Sequence, residues 1–168
     1  GVELWKTDGT AGGTVLVSDI VAGTTSSTPT SLTVVGGTLF FSATTTANGT
    51  ELWKSDGTAV GTVLVKDINP GVASGNISAL ASVGSLLYFS ASDGSVNGTE
   101  LWKSDGTTAG TVMVKDINAG TASSTPAVLT NVYGTLYFRA TTAAHASELW
   151  RSDGTSAGTM LVADINPG

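Results

Sequence analysis

This sequence lacks cysteine, a surplus of positive charge and any long apolar run. Without cysteine, disulfide bonds, zinc–thiolate centres and thiol nucleophiles are excluded. Seven basic residues stand against 13 acidic ones, and the net charge of −6 argues against a nucleic-acid-binding surface. No apolar run approaches the ~20 residues of a membrane-spanning helix, so we expect no membrane insertion.

Charged residues of both signs are scarce, at 12% of the 168 residues, about half the usual share. The polar surface must therefore come from threonine, serine, asparagine and the 22 glycines, which suits β-structure with many turns. A hydrophobic content of 40% argues against disorder. No segment holds a 3.6-residue apolar period, so helices are not expected.

An eight-residue motif, Glu-Leu-Trp-x-x-Asp-Gly-Thr, occurs four times. Its copies lie at Glu3–Thr10, Glu51–Thr58, Glu100–Thr107 and Glu148–Thr155, at spacings of 48, 49 and 48 residues. A fixed period in this range indicates one supersecondary unit that buries its apolar faces by stacking on its neighbours. We predict a single repeat array, with units 3–50, 51–99 and 100–147 and a partial unit 148–168. Because the pattern is cut at both ends, we expect a segment of a longer chain or assembly.

The second unit illustrates the strands that each unit predicts. Strands over 51–55 and 61–68 form a hairpin that turns at Asp56-Gly57, and strands over 79–83 and 86–91 form a second hairpin. The strands are apolar on both faces, which requires a cover on both sides of the sheet. We predict an all-β fold of β-propeller-like blades, each with four antiparallel strands, in about 3.5 repeats of ~48 residues. A β-solenoid is the alternative, although its coils are shorter and lack tight hairpins.

The longer motif Glu-Leu-Trp-x-x-Asp-Gly-Thr-x-x-Gly-Thr, as at Glu51–Thr62, resembles the ELWxxDGTxxGT repeats of large bacterial secreted and surface proteins. The resemblance covers essentially the whole chain and implies a secreted or cell-surface location. Two shorter resemblances speak to the fold alone. Ser55-Asp56-Gly57-Thr58 is similar to the Asp-box of sialidase-type propellers, and residues 35–41 resemble kelch blades.

The two hairpin types are unequal in number. Four hairpins carry Glu-Leu-Trp and three carry a Leu-Tyr-Phe-type strand, which gives 14 strands or about 3.5 blades, fewer than a closed propeller needs. An open arc exposes strand edges and apolar faces. We therefore predict self-association with other copies or with remaining repeats of the same protein.

Two sets of repeated side chains are candidate site residues. A ring of carboxylates could bind a cation or a sugar, but the Asp-Gly context favours structural turn residues: Asp8, Asp56, Asp105 and Asp153. The tryptophans could stack on sugars, but their mid-strand position favours packing between blades: Trp5, Trp53, Trp102 and Trp150.

Ligand binding, if present, is expected in the variable loops 44–50, 92–99 and 141–147. Their candidate residues are Asn48, Asn97 and His145, although a single histidine without clustered carboxylates predicts neither a triad nor a zinc site. The spacing Asp-x-Asn-x-Gly at 67–71, 116–120 and 164–168 could begin a calcium loop. No bidentate glutamate follows, so strand-ending turns are favoured, no metal ligand is assigned and no cofactor is expected.

No unit carries an acid, base or nucleophile that the others lack, so we predict that the chain is not an enzyme. The favoured function is a non-enzymatic extracellular structural or adhesive module that self-associates or forms part of a larger surface protein. One alternative is a lectin-like carbohydrate-binding propeller with weak sites that act by avidity, which glycan binding and exposed tryptophans would favour. Another is a non-catalytic segment of a larger propeller enzyme, which a unique Glu, Arg or His cluster in neighbouring sequence would favour.

Overall fold

A computed structural model describes residues 1–165 and Pro167. These residues contain strands, turns and loops without a helix, so the all-β prediction is confirmed, and they include no helix that could cross a membrane. The strands are β1 (Leu4–Lys6), β2 (Val15–Ser18), β3 (Thr30–Val35), β4 (Thr38–Thr45), β5 (Gly49–Ser55), β6 (Val63–Lys66), β7 (Ser78–Val83), β8 (Leu86–Ser92), β9 (Thr99–Ser104), β10 (Val112–Lys115), β11 (Ala127–Val132), β12 (Thr135–Thr141), β13 (Ser147–Ser152) and β14 (Met160–Ala163).

The strands form four antiparallel sheets in chain order. The first sheet holds β1 and β2 alone, and the others are the up-and-down sheets β3–β6, β7–β10 and β11–β14. Four-stranded antiparallel sheets are confirmed, but the predicted limits of the units are wrong: each sheet joins the second hairpin of one sequence unit to the Glu-Leu-Trp hairpin of the next, so the strands of unit 51–99 belong to two sheets. The strand bounds also differ: β5 begins at Gly49 rather than 51, β6 is confined to Val63–Lys66 rather than 61–68, and β7 and β8 are each one residue longer than predicted. Residues 61 and 62 belong to the hairpin tip, and Asp67 and Ile68 belong to the turn after the strand.

Two-residue turns close the hairpin between the first and second strands of each four-stranded sheet. Gly36 and Gly37 have φ values of 56° and 84°, which only glycine adopts freely. Tyr133 and Gly134 have φ values of 51° and 87° at the equivalent turn, so a tyrosine takes a left-handed conformation there. Both central residues of a type I′ turn require positive φ, and this turn matches the twist of the strands that it joins.

The core lies between successive sheets. On each sheet one face, here called the forward face, points to the following sheet, and the rear face points to the preceding one. In the second sheet, Phe40 and Leu52 are on the forward face and pack with Trp102 of the third sheet, while Phe41 and Trp53 are on the rear face. Equivalent clusters lie at all three junctions, so each sheet inside the array is covered on both sides.

Candidate functional site: a buried glutamate in every repeat

The first residue of each Glu-Leu-Trp motif is a buried glutamate, which the sequence analysis did not identify as a site. In the third unit the carboxylate of Glu100 accepts hydrogen bonds from Ile117 N at 2.9 Å and from Ser124 N at 2.8 Å. The Ser124 hydroxyl donates to the same carboxylate at 2.5 Å. Strand β9 is thereby fastened to the segment that leads to the next sheet. We call this arrangement the glutamate clasp.

The clasp recurs in the other units with one difference. Glu3 accepts hydrogen bonds from Ile20 N, Ser27 N and the Ser27 hydroxyl, and Glu148 accepts one from Ile165 N at 2.9 Å. In the second unit the position of the serine is occupied by Gly75, so the clasp at Glu51 lacks the hydroxyl donor.

Backbone groups alone donate to the carboxylate of Glu51. Ile68 N donates to one oxygen at 2.9 Å and Asn69 N donates to the other at 3.3 Å. A Cβ atom at residue 75 would lie 2.7 Å from Oε2 of Glu51, which shows that residue 75 faces the carboxylate directly. The second unit therefore holds the same buried acid with a weaker set of donors.

Burial and hydrogen bonding set the charge state of the clasps. Burial raises the pKa of Glu51 to about 7, with the nearby negative charge of Asp67 acting in the same direction against the backbone donors. Burial also raises the pKa of Glu100, and the donors from Ser124 and Ile117 oppose the rise. For Glu3, burial raises the pKa, but the donors from Ser27 and Ile20 outweigh it and leave the value lowered.

A carboxyl group with a pKa near 7 has the value that general acid–base catalysis requires. Glu51, however, is 0% exposed and its oxygens are held by backbone N–H groups, so it has no surface at which to meet a substrate. The clasp can therefore stabilise the fold, and the stability that it contributes depends on pH.

The repeated aspartates lie at the hairpin tips between the third and fourth strands. Asp56 Oδ1 accepts hydrogen bonds from Thr58 N at 2.9 Å and from the Thr58 hydroxyl at 2.7 Å. Thr58 in turn accepts from Gly61 N, and Thr62 donates its hydroxyl to the Thr58 carbonyl. These hydrogen bonds, from the Thr58 side chain first, lower the pKa of Asp56. The same bonds from residue i+2 hold Asp8, Asp105 and Asp153.

The tip geometry also explains the second glycine of the motif. A Cβ atom at Gly61 would lie 2.0 Å from Asp56 Oδ1, so only glycine fits beside the carboxylate. The aspartates are thus engaged by their own turns, and the motif describes a compact loop. No two of the four carboxylates belong to the same tip.

The tryptophans differ with their place in the array. Trp102 and Trp150 are buried among residues of the preceding sheet, and the Lys66 ammonium lies 5.8 Å from the centre of the Trp102 ring. Trp53 is half-buried against the first sheet. The predicted packing between sheets does not hold for Trp5, which is 57% exposed because no sheet lies on its rear side in the described residues.

The three candidate loop residues do not converge on one site. Asn48 donates to Asp67 Oδ2 at 2.9 Å, and His145 Nδ1 lies 3.1 Å from Asp164 Oδ2. His145 occupies the position equivalent to Asn48 and contacts the equivalent aspartate, so the pair replaces an amide–carboxylate bond. Asn97 instead donates to its neighbour Ser95, within a loop that is one residue longer.

The Asp-x-Asn-x-Gly segments, for which strand-ending turns were favoured over calcium loops, are partly described. Asp67 accepts from Gly71 N at 3.2 Å and Asn69 donates to the Ser74 carbonyl, which are the bonds of a turn. In the third loop, Asn166 and Gly168 lie outside the described residues. Among the residues that are described, no three His, Asp or Glu side chains form a group that could hold a metal ion.

Two depressions lie on the forward face of the last sheet. One, of about 210 Å³, is lined by Thr135, Arg151 and Met160 among others. The other, of about 290 Å³, is lined by Tyr137, Arg139 and Leu149 among others. On the earlier sheets the equivalent surface is covered by the following sheet, so both depressions belong to an uncovered packing face.

Comparison with known proteins adds a structural likeness. No protein-family model matches the chain, and no curated protein matches it significantly. The solved apo structure of AtxE2 isopeptidase is similar, with a TM-score of 0.58 at 19% sequence identity. The likeness covers 81% of this chain but 20% of the isopeptidase chain, so this chain spans about a fifth of that protein's length. At this identity the likeness shows a shared fold.

This finding contradicts two sequence-based predictions, that the chain is not an enzyme and that it is a non-enzymatic structural or adhesive module. The fold of these repeats is present in a chain that is an isopeptidase. These predictions were wrong because they inferred the function from the similarity of the repeats. Repeated sheets can stand in an enzyme without themselves breaking the repeat pattern, because function resides in particular sites rather than in the fold.

Proposed function

We propose that this chain is a β-propeller-type segment of a larger enzyme, with the reacting groups supplied from outside these residues. The observation that carries the proposal is the likeness to the isopeptidase over 81% of the chain. By the same comparison, the reaction class is hydrolysis of an amide or isopeptide bond. The match covers 20% of the isopeptidase chain, so the rest of that protein leaves room for a separate catalytic part.

The arrangement of the sheets supports their assignment as propeller blades. The strongest contacts between sheets join their first strands, β3 with β7 and β7 with β11. First strands that approach one another at an axis while the fourth strands lie outside are typical of blades around a centre. Burial on both faces of the inner sheets is consistent with this packing.

The described residues favour a supporting rather than a reacting role for this segment. Glu51, whose pKa is near 7, is fully buried, and His145 repeats the structural contact of Asn48. The loops 44–50, 92–99 and 141–147 all join a second strand to a third, so they lie at the same end of their sheets. They also carry most of the variation between units, and we propose that this end faces the substrate.

A binding and turnover measurement tests the proposal. The purified chain is titrated against a fluorescent peptide that contains an isopeptide bond, with anisotropy for binding and mass spectrometry for cleavage. We expect binding without cleavage, and weaker binding when His145 or Asn97 in the loops is changed to alanine. The matched control is Val60→Ala at a hairpin tip, which lies at the opposite end of its sheet. Cleavage by this chain alone would contradict the outside location of the reacting groups, and absence of binding would contradict the enzyme context.

Membership of the ELWxxDGTxxGT family and a secreted or cell-surface location remain part of the proposal. They rest on the resemblance of the four motifs. Fractionation of the source cells with an antibody against this chain would test the location, and recovery in the cytoplasm alone would contradict it.

A further inference from the structure

Within the chain, each of the first three sheets contacts the following sheet through the same kind of hydrogen bond. A lysine in the Glu-Leu-Trp strands β1, β5 and β9 donates from its ammonium group to the carbonyl of the Asp-Gly glycine in the next unit. The pairs are Lys6 with Gly57 at 2.9 Å, Lys54 with Gly106 at 2.8 Å and Lys103 with Gly154 at 2.8 Å. The tip aspartates take part electrostatically, since Lys6 lowers the pKa of Asp56 and Lys54 that of Asp105, after the larger effect of the threonine hydrogen bonds.

An aromatic side chain completes the contact. A Cβ atom at Gly154 would lie 2.2 Å from the Tyr88 hydroxyl, and one at Gly106 would lie 3.1 Å from the Phe40 ring. The tip glycine is therefore required by close approach as well as by its positive φ of 86° at Gly106. Burial at this junction, and then the negative Asp153, raise the pKa of Tyr88. At the second and third junctions the tip thus lies between a lysine and an aromatic ring, whereas at the first junction Gly57 meets the lysine alone.

The last sheet carries the same elements, and no other part of residues 1–165 covers them. Arg151 occupies the position of the three lysines, and Tyr137 occupies the position of Phe40 and Tyr88. Leu149 is 37% exposed whereas the equivalent Leu52 and Leu101 are 0% exposed. Val162 is 45% exposed whereas the equivalent Val65 is 3% exposed. We call the surface formed by Tyr137, Leu149, Arg151 and Val162 the docking face.

The first sheet carries the complementary surface. On its rear side Trp5 and Leu16 are exposed, whereas the equivalent Trp102 and Met113 are packed against the preceding sheet. The tip Asp8-Gly9 has the same turn as the other tips. The pKa of Asp8 is lowered by Thr10 and its own turn, with no contribution from a cation such as Lys6 gives to Asp56. Asp8 is therefore an acidic tip without the cation that its equivalents in the second and third units have.

We propose that the docking face binds the first sheet of a second copy of this chain, head to tail. Arg151 donates to the carbonyl of Gly9 and faces Asp8, Tyr137 lies against Gly9, and Trp5 and Leu16 cover Leu149 and Val162. The proposal continues a lysine–carbonyl contact that occurs three times within the chain, with an aromatic side chain at two of the three junctions, and its charges are complementary. It concerns this chain by itself; in the proposed larger enzyme, further sheets of that protein would take the place of the second copy on these two faces. Because the first sheet has two strands, it covers the outer part of the docking face, so the association is weaker than an internal junction.

A head-to-tail interface leaves one free surface of each kind at the ends of an assembly. The test uses this property. Light scattering over a concentration series should show species heavier than the 16.8 kDa chain, at about 10 µM or above for an interface of modest size. Leu16→Glu blocks the first sheet and Arg151→Glu blocks the docking face, and both residues are exposed, so the fold should persist. Each variant alone should associate at least about tenfold more weakly than the wild type, and should therefore be monomeric at concentrations where the wild type begins to associate.

Mixing the two variants distinguishes a head-to-tail interface from other modes of association. Each variant retains the surface that the other has lost, so the mixture should form a 1:1 heterodimer and nothing larger. Val60→Glu is the matched control: it adds the same single negative charge as Leu16→Glu, at an exposed hairpin tip, and should leave the association unchanged. A wild-type chain that stays monomeric throughout, variants that still associate, or a mixture that stays monomeric would each overturn the proposal. Circular dichroism of both variants guards against misfolding, and Val162→Glu serves as a second docking-face variant.

Discussion

The second and third units contain the same buried glutamate in clasps that differ by one hydroxyl group. Ile68 N and Ile117 N donate to their glutamates at the same distance, 2.9 Å. The third clasp adds the hydroxyl of Ser124, whereas Gly75 leaves that place open in the second. Burial raises the pKa of Glu51 to about 7, and burial also raises the pKa of Glu100, where the Ser124 hydroxyl opposes the rise. Near-identity of repeats therefore does not make them energetically equal, because a hydroxyl donor favours the charged form of one buried acid and is missing beside the other.

Removal of the acid from the stronger clasp should have the largest effect. Glu100→Ala leaves two buried N–H groups and a hydroxyl without an acceptor, at a cost of about 3 kcal/mol or more in the free energy of unfolding. Glu51→Ala should cost about 1 kcal/mol less, since no hydroxyl loses its partner. Urea denaturation of both variants checks the order, and equal losses would mean that the hydroxyl contributes nothing.

The second prediction concerns pH. Glu51 has a pKa raised from 4.5 to about 7 in the folded chain, so folding favours its protonated form. Stability from this group is fully present below pH 4.5 and is lost as the pH rises through 7, by about 3 kcal/mol at most. The pKa of Glu100 is also raised, so its effect on stability has the same direction. The pKa values of Glu3 and the tip aspartates are lowered, so the stability that they contribute is lost when the pH falls below about 4. Maximal stability is expected near pH 5.

Glu51→Gln is the control for the pH dependence. Glutamine resembles the protonated acid in shape and does not titrate, so the variant should lose less stability than the wild type between pH 5 and 8. Denaturation curves at the two pH values measure the difference. An unchanged difference in the variant would show that Glu51 is charged throughout this range.

Much of the architecture could be predicted from the sequence, because its determinants are local. The Asp56-Gly57 tip, the two-residue turn at Gly36-Gly37 and the two-sided apolar strands each carry a signal within a few residues. The exposure of Trp5 was not predicted, because packing between blades was expected of all four tryptophans and no sheet covers the rear side of Trp5 in the described residues. The all-β class and the four-stranded sheets were predictable for this reason.

The glutamate clasp was not predictable in the same way, because its partners are distant in sequence. Glu100 meets Ile117 and Ser124, which are 17 and 24 residues away. A glutamate repeated at the start of an apolar strand does indicate such a site, but the motif was interpreted through its Asp-Gly turn alone. The left-handed residues at the start of the first strands, such as Thr125 (φ 46°) just before β11 and Val128 (φ 54°) within it, are not glycines, so no residue type in the sequence indicates them. Function was missed for a further reason: a regular repeat does not reveal what lies outside it.

Ser124→Gly converts the third clasp into the second and should cost about 1–2 kcal/mol. Loss of the hydroxyl donor should raise the pKa of Glu100 further, so the fall in stability between pH 5 and 8 should become steeper than in the wild type. Ser124→Ala separates the hydroxyl from the added backbone freedom of glycine. If both variants keep the wild-type pH dependence, the hydroxyl does not control the charge of Glu100.

The reverse change, Gly75→Ser, should strengthen the second clasp by the smallest amount, about 1 kcal/mol at pH 8. A new hydroxyl beside Glu51 favours the charged carboxylate, so the pKa of Glu51 should fall and the loss of stability at high pH should shrink. The gain is limited because a Cβ atom here would lie 2.7 Å from Glu51 Oε2 and 3.0 Å from Oε1, so the carboxylate must shift. The first and third units show that such a shift can be accommodated, since serine lies beside the glutamate in both.

Gly75→Ala is the matched control, because it brings the same crowding without a donor. Serine should exceed alanine in stability at pH 8, and the difference should shrink as the pH falls and Glu51 becomes protonated. A constant difference between the two variants across this range would mean that the hydroxyl acts on something other than the charge of Glu51.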